Sequence, residues 1–271
     1  MSLLDAATPI NRPDTPTQFH TLTVVSLIPL VFAIAWAFVD ARTIDGVHVW
    51  VKPLKFAVSL TLFFATIAVV ERYLSETARS SKTMLATGWA VSFAYLTEVG
   101  YLFYMAAQAE KSHFNDSTPW HETMYMLMGV GAVTLVAGVA VVGWVAKRDS
   151  GASVGAGLRE GIWLGFLFAF LLTLLVAGYL GSNGGAYVGL HPEGAPTVPL
   201  MGWSGVTGDL RPAHFMSIHA MQALPLLGWW LDRRDDAGAI IKVRLATLAY
   251  TALTLGLFAQ ALLGQPLIPM Q

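Results

Sequence analysis

The chain has 271 residues, of which 55% are hydrophobic and 12% charged, with a formal net charge of −1 and a mean hydropathy of +0.58. Soluble domains carry about 25% charged residues, so this composition reads as an integral membrane protein, and the near-zero net charge offers no basic footprint for nucleic acid. Cys is absent, which excludes disulfides, iron–sulfur clusters and thiolate metal sites and leaves His, Met, Asp and Glu as available metal ligands.

Residues 1–19 form a polar tail containing Pro9, Pro13 and Pro16. The apolar stretch behind it is too long for a signal-peptide core, so it reads as a retained first span. Seven apolar stretches of spanning length follow one another, at about 20–40, 52–72, 83–108, 121–146, 159–180, 212–231 and 242–263, each close to the roughly 20 residues that a helix needs to cross a bilayer. The expected fold is all-α, a polytopic transmembrane helix bundle forming one domain over 1–271. No internal repeat relates its halves. Gly129, Gly131, Gly138 and Gly143 in the fourth stretch allow close helix contact in lipid.

The connectors alternate in charge. The N-terminal tail and the stretches around 71–82, 147–159 and 232–244 hold eleven Lys and Arg, whereas the opposite connectors hold five, namely Arg42, Lys52, Lys55, Lys111 and Arg211. Positive charge marks the cytoplasmic side, so the N-terminus is expected inside and the C-terminus outside. The long outer loop, 181–211, has no Lys or Arg before Arg211. Six of the seven histidines, His48, His113, His121, His191, His214 and His219, fall toward the outer side.

Polar residues gather at that side in chain order. The second stretch opens with WVKPLKF, where Lys52 and Lys55 are cations that snorkel at the interface or hold an anionic group. In the third, Glu98 sits about 15 Å below the outer end at 1.5 Å per residue. A carboxyl at that depth must face the bundle interior, pair, or stay protonated. His113 and Asn115 follow in SHFN, and His121, Met124 and Met128 share a stripe on the fourth stretch that suits either core packing or a soft copper ion.

The most polar span lies in GDLRPAHFMSIHAMQALPLLGWW, Gly208 to Trp230. Pro212 suits a first helical turn, and the helix is expected from there to Leu231. His214 and His219 diverge by about 140° on a helical wheel, so a metal bound by both needs ligands from other helices. Gln222, one turn after His219, is placed to orient that imidazole. There is no nucleotide-binding loop, zincin pair, nucleophile elbow or retinal-type lysine in the last span.

These segments, WVKPLKF, Glu98, SHFN and GDLRPAHFMSIHAMQALPLLGW, resemble a bacterial multi-pass membrane protein family of unassigned activity. The resemblance implies a shared multi-helix architecture and marks Lys52, Lys55, Glu98, His113, Asn115, Asp209, Arg211, His214, His219 and Gln222.

Three functions fit these groups. The first is a redox protein binding heme or a metal ion (Zn, Cu or Fe), with His113, His214 and His219 as ligands, Lys52, Lys55 and Arg211 toward heme propionates, and Gln222 and Asn115 in support. The second is a zinc-dependent membrane hydrolase, with Glu98 and Asp209 as candidate catalytic carboxylates. The third is a proton-coupled transporter or ligand sensor built on Glu98, His219 and Gln222.

Overall fold

The structure, a computed structural model, describes residues 16–270; Arg12 and most of the polar tail lie outside them. Every apolar stretch is helical. The described residues form α1 (Gln18–Trp36), α2 (Val51–Glu71), α3 (Glu76–Arg79), α4 (Lys82–Ala107), α5 (Pro119–Arg148), α6 (Ala156–Ser182), α7 (Arg211–Asp232) and α8 (Ala239–Leu262). The fold is all-α apart from two short hairpins in the loops, β1 (Thr43–Ile44) with β2 (Val47–His48) and β3 (Tyr187–Val188) with β4 (Gly208–Asp209).

Five helices, α1, α2, α5, α6 and α8, are long and apolar enough to cross a membrane. The other two long helices span about 39 and 33 Å at 1.5 Å per residue, being 26 and 22 residues long. They are interrupted by the polar groups that matter below: Thr97 and Glu98 in α4, and His214, Ser217, His219 and Gln222 in α7. Large apolar side chains face outward along the helices, with Phe93 72% and Leu248 64% exposed. Apolar exposure on this scale suits lipid rather than water.

Helix starts are set by side chains that satisfy otherwise unpaired backbone donors. Thr17, Ser75, Ser81 and Thr118 cap α1, α3, α4 and α5 through their hydroxyls. The α6 start has no such hydroxyl, and Asp232 from the end of α7 does the work, accepting from the Gly157 and Leu158 amides at 2.8 and 2.7 Å.

Contacts gather the chain into two compact units, one ending at Val154 and the other beginning at Gly155. In the first, α1 packs on α2 and α4 on α5, around Phe64, Ile67, Val91 and Tyr95. At one end Thr17 meets Glu71, and Asp149 accepts from the Ser75 amide and hydroxyl. At the other end the β1–β2 hairpin meets the α4–α5 loop, through Lys111 with Asp45 at 2.6 Å and Arg42 with the Ala107 carbonyl at 3.1 Å.

In the second unit α6 and α7 are in backbone contact. A Cβ on Gly161 would stand 2.5 Å from the Leu224 carbonyl oxygen, and one on Gly165 2.7 Å from that of Ala220. Asp232 and the Arg244–Glu160 pair, at 2.6 Å, close one end of this unit. The β3–β4 hairpin and the 183–210 segment close the other.

Candidate functional site

In the first unit, the turn after α4 folds back over the start of α2. The Lys52 ammonium donates to Ser112 Oγ at 3.0 Å, and Ser112 Oγ bonds His113 Nδ1 at 3.1 Å. Ser112 is buried. Aromatic rings wall the imidazole: Phe56 and Tyr125 lie 5.7 and 5.9 Å from it, centroid to centroid. His113 keeps some exposed surface but is densely surrounded by protein, and this burial, with the Lys52 charge adding to it, pushes its pKa down to about 3. At neutral pH the ring is uncharged. Asn115 closes the same turn, its amide donating to the Lys111 carbonyl and its oxygen accepting from Ser117.

Deeper on the same side, Glu98 is 6% exposed. Its Oε1 lies against the α5 backbone at Gly131, where a Cβ would overlap it. Glu98 Oε1 and, one turn on, the Tyr101 hydroxyl are both buried with no hydrogen-bond partner. Most buried polar groups are hydrogen-bonded, so two orphans one turn apart mark a place where a partner is expected. Lys52 is close enough to Glu98 for their charges to interact. Tyr101, Leu102, Met105 and Met128 form the adjoining core, with Phe56 and Met124 packed on it. Lys55 stays exposed at the first turn of α2.

The methionines of the proposed copper stripe therefore pack beside Tyr101. The third member, His121, has both ring nitrogens engaged: Nδ1 with Ser117 and Thr118 at 3.0 and 2.9 Å, and Nε2 near Glu110 at 3.4 Å.

In the second unit, Asp209 is the hub of the α6–α7 connection. It is buried and accepts from the Ser204 amide at 2.8 Å, the Arg211 amide at 2.9 Å and the Arg211 guanidinium at 2.5 to 3.2 Å. Arg211 also donates to the Gly202 carbonyl and the Tyr187 hydroxyl, and lies over the Tyr187 ring. Tyr187 stacks on His191, whose Nδ1 bonds Ser204 Oγ. Both charges are thus used in holding the loop at the start of α7.

Further along α7, His219 Nδ1 bonds Gln222 Oε1 at 3.1 Å, as the one-turn spacing predicts, and its ring contacts Phe215. His214 is near enough to His219 for their charges to interact, but its buried Nδ1 has no partner. Among the described residues, no group of three or more His, Asp or Glu is placed to hold a metal ion.

A shallow cavity of about 240 Å³ lies at the α1–α2 turn, lined by Asp40, His48 and Trp50 among others. Asp40 is occupied there by Arg42 and by the Trp36 indole.

The structure thus brings Lys52, Glu98 and His113 into one neighbourhood, joins Asp209 to Arg211, and joins His219 to Gln222. Ser112, Tyr101 and Gly131 complete the first site. Ser112 stands inside the SHFN segment, but a loop hydroxyl gives no sign of its partners until the loop is folded. The chain matches no protein-family model, no curated protein and no solved structure.

Proposed function

We propose that the chain is a seven-span protein of the bacterial cytoplasmic membrane, with its N-terminus inside, and that it works as a proton-coupled transporter or ligand sensor through the Glu98 site. The motif resemblance is the basis for the bacterial setting. The observation that carries the functional reading is Glu98 Oε1, buried in the middle of a long helix without a partner. An ionisable group at that depth is costly and persists where it titrates or binds something. The nearby Lys52, the uncharged His113 and the orphan Tyr101 hydroxyl are the other chemical groups of the site.

The test is charge movement in proteoliposomes after a pH jump. Wild type should give a transient that Glu98→Gln abolishes, because glutamine keeps the volume and cannot titrate. A transient of equal size in both proteins rejects the reading.

A second reading, heme or a metal ion on α7, is favoured by the orphan Nδ1 of His214 beside His219. An absorption spectrum and elemental analysis of the purified protein decide it. A Soret band or stoichiometric metal, lost in His214→Ala or His219→Ala, supports ligation, and wild type containing neither removes it. The zinc-hydrolase reading has no comparable observation behind it, since Asp209 is taken up by Arg211 and Ser204.

A further inference from the structure

In the second unit the end rich in cations joins three helices. Asp232, the last residue of α7, holds the first amides of α6, and Arg244 of α8 pairs with Glu160 of α6 at 2.6 Å. Both α6 and α8 are long and apolar enough to cross a membrane, so their ends set the level at which α7 stops. There Trp229 and Trp230 are 39% and 45% exposed. Over each indole lies the guanidinium of the residue four positions on, Arg233 at 4.7 Å and Arg234 at 4.2 Å from the ring centroid. Exposed indoles at the end of an apolar bundle stand at the bilayer interface. Four residues carry the backbone about 6 Å further, into the headgroup layer.

Stacking uses the face of a guanidinium and leaves its N–H edge. Among the described residues neither of these two guanidinium groups makes a hydrogen bond or ion pair. The acids nearby are engaged: Asp236 with Lys242 at 2.5 Å, Glu160 with Arg244, and Asp232 with the α6 amides. Asp235 remains, one exposed carboxylate for two permanent cations, and the α7 C-terminus adds only a partial negative charge.

We propose that Arg233 and Arg234, each held flat by its tryptophan, bind the phosphate groups of anionic phospholipids at this end of the bundle.

A guanidinium is a planar fork of donors that fits two phosphate oxygens at once, and the indole beneath holds that fork in place. Exposed Leu226 on α7 and Ile241 and Leu245 on α8 give the acyl chains an apolar surface. A lipid of net charge −1 offsets the unpaired positive charge. Phosphatidylcholine does not, because its own ammonium already neutralises its phosphate. The same construction ends α5, where Arg148 lies 4.6 Å over exposed Trp144, so it recurs in a separately packed unit.

The full chain in detergent is titrated with dioleoyl phosphatidylglycerol or dioleoyl phosphatidylcholine, and bound lipids are counted by native mass spectrometry. Wild type should hold phosphatidylglycerol about fivefold more tightly, the effect of one basic residue at an anionic headgroup. Arg233→Lys with Arg234→Lys keeps the charge and loses the fork, and should hold at least one phosphatidylglycerol fewer. Lys242→Gln, which removes a charge already paired with Asp236, should hold as many as wild type. All three positions are exposed, so the variants leave the packed interior intact.

Equal affinity of wild type for the two lipids overturns the proposal. So does an Arg→Lys protein that holds as many phosphatidylglycerols as wild type, or a Lys242→Gln protein that loses them, since either result reduces the effect to diffuse surface charge. Displacement of the lipid by excess glycerol 3-phosphate, the headgroup chemistry without acyl chains, would make the partner a soluble phosphate and reject the lipid.

Discussion

Glu98 keeps its buried position because Gly131 has no side chain. Adding a Cβ at Gly131 would overlap Glu98 Oε1 and stand 3.1 Å from Cγ, whereas one at Gly129 meets nothing within 4 Å. The carboxyl is the far end of a flexible chain and can swing aside. Gly131→Ala should therefore leave the protein folded yet reduce the pH-jump charge movement severalfold, while Gly129→Ala leaves it unchanged; equal signals from the two would detach Gly131 from the site. His113 makes a second prediction. Its folded pKa, about 3, lies below the ordinary value of 6.5, so the opened loop binds the proton more readily than the closed one. Stability from the neutral ring is complete above pH 6.5 and declines as pH falls toward 3, by roughly 1.4 kcal/mol per pH unit at most. Amide exchange across residues 109–118, corrected for its intrinsic rate, should rise between pH 7 and pH 5 in wild type and much less in His113→Gln. A carboxyl inside an apolar run was legible in the sequence, as was the His219–Gln222 spacing. The occupation of Asp209 was less so, because its partners Ser204 and Arg211 meet only when the loop folds.

Between elements, the tightest join is α6 on α7. Gly157, Gly161 and Gly165 recur every fourth residue on one face of α6. Cβ atoms on them would stand 2.8, 2.5 and 2.7 Å from the carbonyl oxygens of Gly228, Leu224 and Ala220. These obstacles are backbone and cannot swing aside as a carboxylate can. Gly161→Val should lower the melting temperature in detergent markedly, the overpacking costing on the order of 1–3 kcal/mol or more. Gly178→Ala, facing open space in the same helix, should be neutral. A Gly161→Val protein melting like wild type would mean that α6 and α7 are not held this closely. The signal is present in the sequence as two overlapping G-x-x-x-G pairs among the five glycines of α6, although the sequence reading names only the four glycines of α5. Of those, Gly138 packs on Val91 and Gly131 on Glu98, while Gly129 packs on nothing. Apolar length, with Pro212 at the start of α7, places the long helices to within a few residues. The two hairpins and α3 were not read, since two-residue strands and a single turn carry no periodicity.

At the scale of the whole molecule the open question is orientation, and the cations that bear on it are unevenly shared. In the first unit the end holding Arg72, Arg79, Lys82, Lys147 and Arg148 outnumbers the end holding Arg42, Lys52, Lys55 and Lys111 by five to four among the described residues. In the second unit Arg159, Arg233, Arg234, Lys242 and Arg244 stand against Arg211 alone. Arg211 is moreover tied to a buried Asp209, whereas Arg233 and Arg234 stack on Trp229 and Trp230, an aromatic–cation pairing suited to the membrane interface. By the positive-inside rule, the second unit carries most of the orienting signal. Reporter fusions at Ala78, Ala152 and Ala237 should therefore read as cytoplasmic, and those at Asn115 and Ala195 as external. Replacing Arg233, Arg234 and Lys242 together with Gln should give mixed reports at Ala195, because it cuts the five-to-one bias to two to one. Replacing Arg72, Arg79 and Lys82 should leave the Ala195 report unmixed. Cytoplasmic reports from Asn115 and Ala195 in the unaltered chain would reverse the topology and place the Glu98 and Lys52 site on the inner side.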